Sequence, residues 1–203
     1  MKILFSPFSP YVRKCLSVAH ELGLHSRLSL LPSNAHPVQR DRAIIADNPL
    51  GKVPTFYTDD GLVLFDSRVI CEYLNTTAGG TLIPAEGVAR WQSLTLQALG
   101  DGILDAALIA RYEDAVRPEA LRWDTWRAAQ LDKADTSLAY LDAHPERLDG
   151  ALDIGQITIA CALWYLSLRF PDFAWIERYP KVAAWYATFS NRPSQQHDWQ
   201  LSE

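Results

Sequence analysis

A glycine-rich break at residues 79–87 divides the chain into two stretches with different hydrophobic periods, and this division limits the architecture more than any other feature. Upstream, short β-rich runs alternate with helical patterns. Downstream, every patterned stretch repeats at three- to four-residue spacing. The expectation is an α/β domain at 1–78 followed by an all-helical domain at 87–203.

Residues 2–5 form a short β-rich run, interrupted by Ser6-Pro7 and Ser9-Pro10. From Pro10 a helix pattern follows, with Val12, Cys15, Leu16, Ala19 and Leu22 on one face. Ser9 suits the N-cap, Pro10 the first helical position and Gly23 the stop. A second strand is expected at 27–31, a loop at 32–37 and a short helix near 38–46. Asn48-Pro49-Leu50-Gly51-Lys52-Val53-Pro54 excludes regular structure. Strands at 55–57 and 62–65 flank the turn signal Asp60-Gly61. A helix from Ser67 stops at Gly79-Gly80, so the order is β-α-β-α-β-β-α.

In the second stretch, a helix at 87–113 is interrupted by Gly100 and Gly102, each costing about 1 kcal/mol relative to alanine. Either the helix kinks there, or another helix approaches closely, including one from a second subunit. Another helix covers 119–143. Asp153-x-x-Gln156 is a capping-box pattern, and the helix it opens, 154–169, is apolar on nearly every side, as a central helix must be. Pro180 opens a last helix ending near Ser190.

The net charge of −5 is spread without long single-sign runs, which argues against a nucleic-acid or anionic-membrane partner. No uninterrupted run of about twenty apolar residues suggests a membrane span, and the first residues do not read as a signal peptide, so a cytoplasmic protein is expected. Cys15, Cys71 and Cys161 are far apart in sequence and read as small buried hydrophobes of a reducing compartment. The five histidines have no ligand spacing, so no metal is expected. The seven tryptophans read as core packing, and Arg13-Lys14 as a solvated or inter-domain pair.

Three features of the first domain point to one small-ligand site. Ser9 stands at a helix N-terminus directly after a strand, where free N–H groups and the helix dipole favour an anion and a hydroxyl can donate to a thiolate. Val53-Pro54 precedes a strand. X-Pro is the context in which a cis bond is cheap, and a cis bond there turns the Val53 N–H and C=O outward to pair with an extended peptide. Asp66-Ser67 opens the third helix, where Ser67 can hold a carboxylate and Asp66 an ammonium. Taken singly, each also reads as plain capping or an ordinary turn.

Together, SPFSPYVRK (6–14), NPLGKVPTF (48–56), FDSRVICEYL (65–74) and LDIGQITIACAL (152–163) resemble the soluble glutathione transferases, in particular a bacterial branch whose catalytic residue is serine. The resemblance covers essentially the whole chain. It implies a thioredoxin-like N-terminal domain, an all-helical C-terminal domain and a homodimer. It also implies a role in detoxification, with glutathione as co-substrate, a small hydrophobic electrophile and no tightly bound cofactor.

Carried onto this sequence, Ser9 activates the thiol, Val53 pairs with the cysteinyl backbone and Pro54 is the cis-proline. Asp66 and Ser67 hold the γ-glutamyl end, Lys52 lies near the glycyl carboxylate and Asn34 is a further contact. Apart from the family pattern, Gly100-Asp101-Gly102 would let two helices meet around a two-fold axis and put Asp101 near the partner's site, the alternative being a solvated or intrahelical Asp101. An inter-domain cleft lined by Phe8, Tyr11, Leu108, Tyr112 and Trp164 is the expected electrophile pocket. The pattern departs at Asp153-x-x-Gln156, where the family has Ser/Thr-x-x-Asp, and at Ser9, which cannot form the mixed disulfide of thiol-exchanging relatives. A glutathione-dependent reductase or peroxidase, or a non-catalytic glutathione-binding module of the same fold, are the alternatives.

Overall fold

The computed structural model describes residues 1–199 and 201, so the expected domain end at 203 lies outside the described residues. The chain forms two compact units, Met1–Ile83 joined by the segment that begins at Pro193, and Pro84–Arg192.

The first unit is thioredoxin-like. Its elements are β1 (Lys2–Phe5), α1 (Pro10–Glu21), β2 (Ser29–Pro32), α2 (Arg42–Asp47), β3 (Phe56–Tyr57), β4 (Val63–Leu64) and α3 (Ser67–Thr77). The sheet order is β2-β1-β3-β4, with β1 parallel to β2 and antiparallel to β3, and β3 antiparallel to β4. β1 is therefore central, and Ile3, Leu4 and Phe5 are all buried, as a strand covered on both faces requires.

Local chemistry sets the boundaries. The Ser9 Oγ accepts the Val12 N–H (3.3 Å) at the start of α1, and Gly23, at φ +69°, follows its end. α2 begins later than the sequence suggests because His36 Nδ1 accepts the N–H groups of Val38 (3.2 Å) and Gln39 (2.9 Å), holding a turn there. Asp41 then caps α2 through Ala43 N–H (2.9 Å).

The second unit holds α4 (Gly87–Ala115), α5 (Asp124–Ala143), α6 (Ile154–Arg169), α7 (Trp175–Arg178) and α8 (Pro180–Phe189). α6 is buried from Ile154 to Leu166 apart from Trp164, and both halves of the Asp153–Gln156 capping box form. α4 and α6 pack most extensively, at a crossing of small residues. A Cβ on Gly100 would lie 2.8 Å from Thr158 Cγ2, and one on Gly155 would lie 2.6 Å from Leu96 Cβ. The close approach at Gly100 is thus to α6 of the same unit rather than to a second subunit, while a Cβ on Gly102 would meet open space. α5 starts at Asp124 rather than near 119, where a single 3₁₀ turn forms instead. The Glu113 carboxylate on α4 accepts the Trp123 N–H (2.7 Å) and supplies the cap that Trp123 lacks. α4 is long and apolar enough by composition to cross a membrane, yet more than half of that window is buried, the condition of a core helix.

Several sequence expectations need correction. The segment from Pro193, including α9 (Pro193–Gln196), packs with the first unit and not the helical one. Arg13 Nη2 donates to the Gln195 carbonyl (2.7 Å), and Ser194 Oγ donates to Glu21 (2.6 Å). Lys14 is wholly buried, not solvated. Of the tryptophans, Trp175 is in the core, but Trp91, Trp123 and Trp126 are exposed. Trp123 and Trp126 stack on each other at 6.2 Å. His197, far in sequence from His20 and His25, gathers with them at ring centroids 4.5–5.9 Å apart. Burial, then His25 and His197, push the His20 imidazole below its ordinary value. Among the described residues, no group of His, Cys, Asp and Glu has the makings of a metal site.

Candidate functional site

The sheet topology brings four loops to one end. β1 and β2 run parallel, so the chain leaves both strands at the same edge: toward Ser9 from β1 and toward Asn34 from β2. Ser33 Oγ donates to the Phe5 carbonyl (2.8 Å) and pins these exits together. β3 is antiparallel to β1, so the segment entering it, with Lys52, Val53 and Pro54, arrives at that same edge. β4 is antiparallel to β3, so its exit into Asp66 and Ser67 is there too. Seven of the residues singled out in the sequence therefore share one rim of one unit: Ser9, Asn34, Lys52, Val53, Pro54, Asp66 and Ser67.

At Ser9 the hydroxyl oxygen accepts from Val12 N–H, which leaves its own proton for another acceptor. The Val53–Pro54 bond is cis, and the Val53 N–H and C=O have no hydrogen-bond partner among the described residues. The surroundings of Val53 are rigid. The Lys52 carbonyl accepts from Thr55 Oγ1 (2.9 Å) and Asn48 Nδ2 (3.2 Å), and Asn48 Nδ2 also lies 2.9 Å from Thr55 Oγ1. Asn48 Oδ1 accepts the Leu50 N–H (3.1 Å). Gly51, at φ +61°, takes a left-handed conformation that favours glycine, and a Cβ there would crowd Ile45 and Arg40. Asn48 is the organising residue that sequence reasoning missed. Its only signal was Asn before Pro in a turn-rich stretch.

Asp66 caps α3 through one oxygen, accepting the Arg68 N–H (3.0 Å). Its second oxygen has no partner among the described residues. Ser67 is 2% exposed, and its carbonyl faces the Cys15 thiol at 3.8 Å. Lys52 and Asn34 are exposed.

A cavity of about 140 Å³ opens beside Ser9, between Ser6-Pro7 and the C-terminal residues His197 and Trp199. It suits a small group and not a tripeptide. A larger cavity of about 370 Å³ lies at the opposite end of the sheet, around Met1, Tyr57 and Asp59, away from every one of these groups.

Phe8 is exposed and Tyr11 half-buried in this unit. Leu108, Tyr112 and Trp164, half-buried, belong to the second unit, on α4 and α6. Burial pushes the Tyr112 and Tyr165 phenols above their ordinary value. Asp101, expected on a face open to a second chain, is 1% exposed.

Residues 8–77 match the family model described as glutathione S-transferase, N-terminal domain, and residues 124–188 match that of the C-terminal domain. The chain belongs to the glutathione S-transferase family. Among curated proteins, this transferase-family chain is 32% identical over 201 residues to the uncharacterized GST-like protein YibF of Escherichia coli (strain K12), with 96% of each covered. Among solved structures, it superposes on a glutathione transferase family member from Pseudomonas fluorescens Pf-5 with bound glutathione, at a TM-score of 0.93 and 46% identity, covering 96% of both chains. A structure from the same organism with bound S-(propanoic acid)-glutathione superposes at 0.88 with 44% identity, again covering 96% of both chains.

Proposed function

We propose that this protein is a glutathione transferase that binds glutathione along the rim described above and activates its thiol for attack on a small hydrophobic electrophile. The observation that carries the reading is the pair of unpartnered Val53 backbone groups beside a helix N-terminus capped by Ser9. An extended peptide pairs with Val53 as an added strand, which sets its cysteine toward Ser9. Ser67 takes the γ-glutamyl carboxylate, the second Asp66 oxygen takes the ammonium, Lys52 lies near the glycyl carboxylate and Asn34 adds a contact. The Pseudomonas fluorescens relatives, with glutathione and a glutathione thioether bound, support the same reading.

An ordinary thiol titrates near 8.5, so only a few per cent is thiolate at pH 7. Lowering that value by about 2 requires roughly 2.7 kcal/mol in favour of the anion. A hydroxyl donor to a charged acceptor and the α1 N-terminus together supply that order of magnitude. The Ser9 hydroxyl donates to the thiolate while its oxygen keeps the Val12 N–H. The thiolate sulfur then forms the bond to the electrophile, whose leaving group departs with the electron pair. Phe8 and Tyr11, on the approach to Ser9, supply apolar contact for that substrate. A homodimer is part of the proposal on family membership alone, and the mass in solution checks it.

The test is steady-state turnover of glutathione with an aryl halide. Ser9→Ala should lower kcat by about 10- to 1000-fold, or about 1.4–4 kcal/mol of barrier, with glutathione affinity within a few-fold of wild type. Tight glutathione binding with no turnover across a broad electrophile panel would instead identify a binding module.

A further inference from the structure

The sulfurs of Cys15 on α1 and Cys71 on α3 lie 4.0 Å apart, and both residues are wholly buried. The contacts form a chain: the Cys71 thiol donates to the Cys15 sulfur, and the Cys15 thiol donates to the Ser67 carbonyl at 3.8 Å. These residues are 56 positions apart in sequence and meet only because α1 and α3 pack on each other. Burial alone makes a cysteine inert. Here, however, the first sulfur to be oxidised already has a second thiol in contact.

We propose that Cys15 and Cys71 are a reversible redox site, converted by a hydroperoxide to an intrachain disulfide that ties α1 to α3. One thiol gives up its proton and its sulfur attacks the peroxide. An S–O bond forms, the O–O bond breaks and an alcohol (or water) leaves. The other thiol then attacks that sulfenic sulfur. The S–S bond forms, the S–O bond breaks and water leaves, so the two thiols are oxidised by two electrons and the peroxide is reduced by two. Bonded sulfurs stand about 2.05 Å apart, so the pair closes by about 2 Å. The oxidant reaches the pair through local opening of the α1–α3 contact, which makes the reaction slow. Glutathione reverses it. One molecule breaks the disulfide and is left as a mixed disulfide, releasing one cysteine. A second attacks the glutathionyl sulfur, giving glutathione disulfide and the other cysteine.

The site touches the proposed glutathione rim through Ser67. A disulfide has no S–H, so the Ser67 carbonyl loses the donor it has from Cys15. This second part rests on the proposed function, while the disulfide itself does not.

The experiment is hydrogen peroxide treatment of the full-length protein, with thiol counting, intact mass and peptide mapping after acid quench. The expected result is loss of two of the three thiols, a chain lighter by two hydrogens, a Cys15–Cys71 crosslinked peptide and a retained Cys161 thiol, all reversed by glutathione. Cys71→Ser should abolish the crosslink and leave Cys15 trappable as a sulfenic acid by dimedone. Retention of all three thiols, oxygen adducts on the wild-type pair without a crosslink, or a crosslink involving Cys161 or a second chain would overturn the proposal. S-methylglutathione, which has no thiol to reduce the disulfide, should bind the oxidised protein at least three-fold more weakly than the reduced protein. Equal affinity would overturn the link to the rim. A mapped disulfide with no binding to either form would uphold the redox site and count against the glutathione reading alone.

Discussion

The Leu4 N–H donates to the Thr55 carbonyl at 2.9 Å, and this bond anchors the segment after Val53-Pro54 to the strand that leads to Ser9. Thr55 also holds the Lys52 carbonyl through its hydroxyl, and Asn48 holds both. The segment that carries the Val53 groups is therefore fixed through the buried Asn48 and Thr55.

Asn48→Ala should test that arrangement. It leaves the Leu50 N–H without its side-chain acceptor and the Lys52 carbonyl with Thr55 Oγ1 alone, and should cost about 1–3 kcal/mol of stability in urea unfolding. Because Val53 then loses its support, the glutathione KM should rise as well. A stable variant with an unchanged KM would contradict the role given to Asn48.

Ser67→Ala should act on binding more than on chemistry. The proposed contact to a γ-glutamyl carboxylate would be made in ground and transition states alike, so KM for glutathione should rise with kcat nearly constant. A level KM with a reduced kcat would show that Ser67 has a different role.

The two glycines of α4 should behave oppositely. Gly100→Ala forces a methyl against Thr158 and the α6 backbone, and should destabilise by about 1–3 kcal/mol. Gly102→Ala meets open space and should stabilise by up to about 1 kcal/mol through helix propensity. Thermal unfolding of the two variants checks the pair, and a neutral Gly100→Ala would contradict the packing described.

Such distinctions separate what the sequence made legible from what it did not. Ser9, Asp66 and the Asp153–Gln156 box announced their helices, because capping is decided within four residues. The rim was legible because Ser9, Val53-Pro54 and Asp66-Ser67 each sit at a strand end and the element order fixes which ends coincide. Asn48 was not, because its partners become neighbours only once the 48–55 turn has formed. Gly100 fitted a kink as well as a close approach, because a glycine's missing side chain does not say which neighbour, if any, lies against it. Cys15–Cys71, the packing of Arg13 and Glu21 with the Pro193 segment, and the approach of His197 to His20 and His25 join residues dozens to nearly two hundred positions apart, where no local pattern survives.

Alkaline stability should report two tyrosines. Tyr57 donates to Asp47 (2.7 Å) and Tyr179 to Asp135 (2.5 Å). Burial first, and then the neighbouring carboxylate, push each phenol up to about 12 from its ordinary 10. The folded state holds these protons more tightly than the unfolded state. Their contribution is thus fully present below pH 10 and is lost as pH rises through about 12. Urea unfolding across this window should show stability falling with pH, and a Tyr57→Phe/Tyr179→Phe double variant should fall less steeply. Identical slopes would contradict the shifts.

The most direct measurement on the central claim is a pH titration of the glutathione thiolate by its ultraviolet absorbance, in the presence of wild-type protein and of Ser9→Ala. The account predicts that glutathione bound to the wild type ionises about 2 pH units below the free thiol value near 8.5, and that Ser9→Ala binds glutathione but returns most of that difference. Bound glutathione that ionises like free glutathione in the wild type, or a Ser9→Ala curve that overlays the wild-type one, would contradict it.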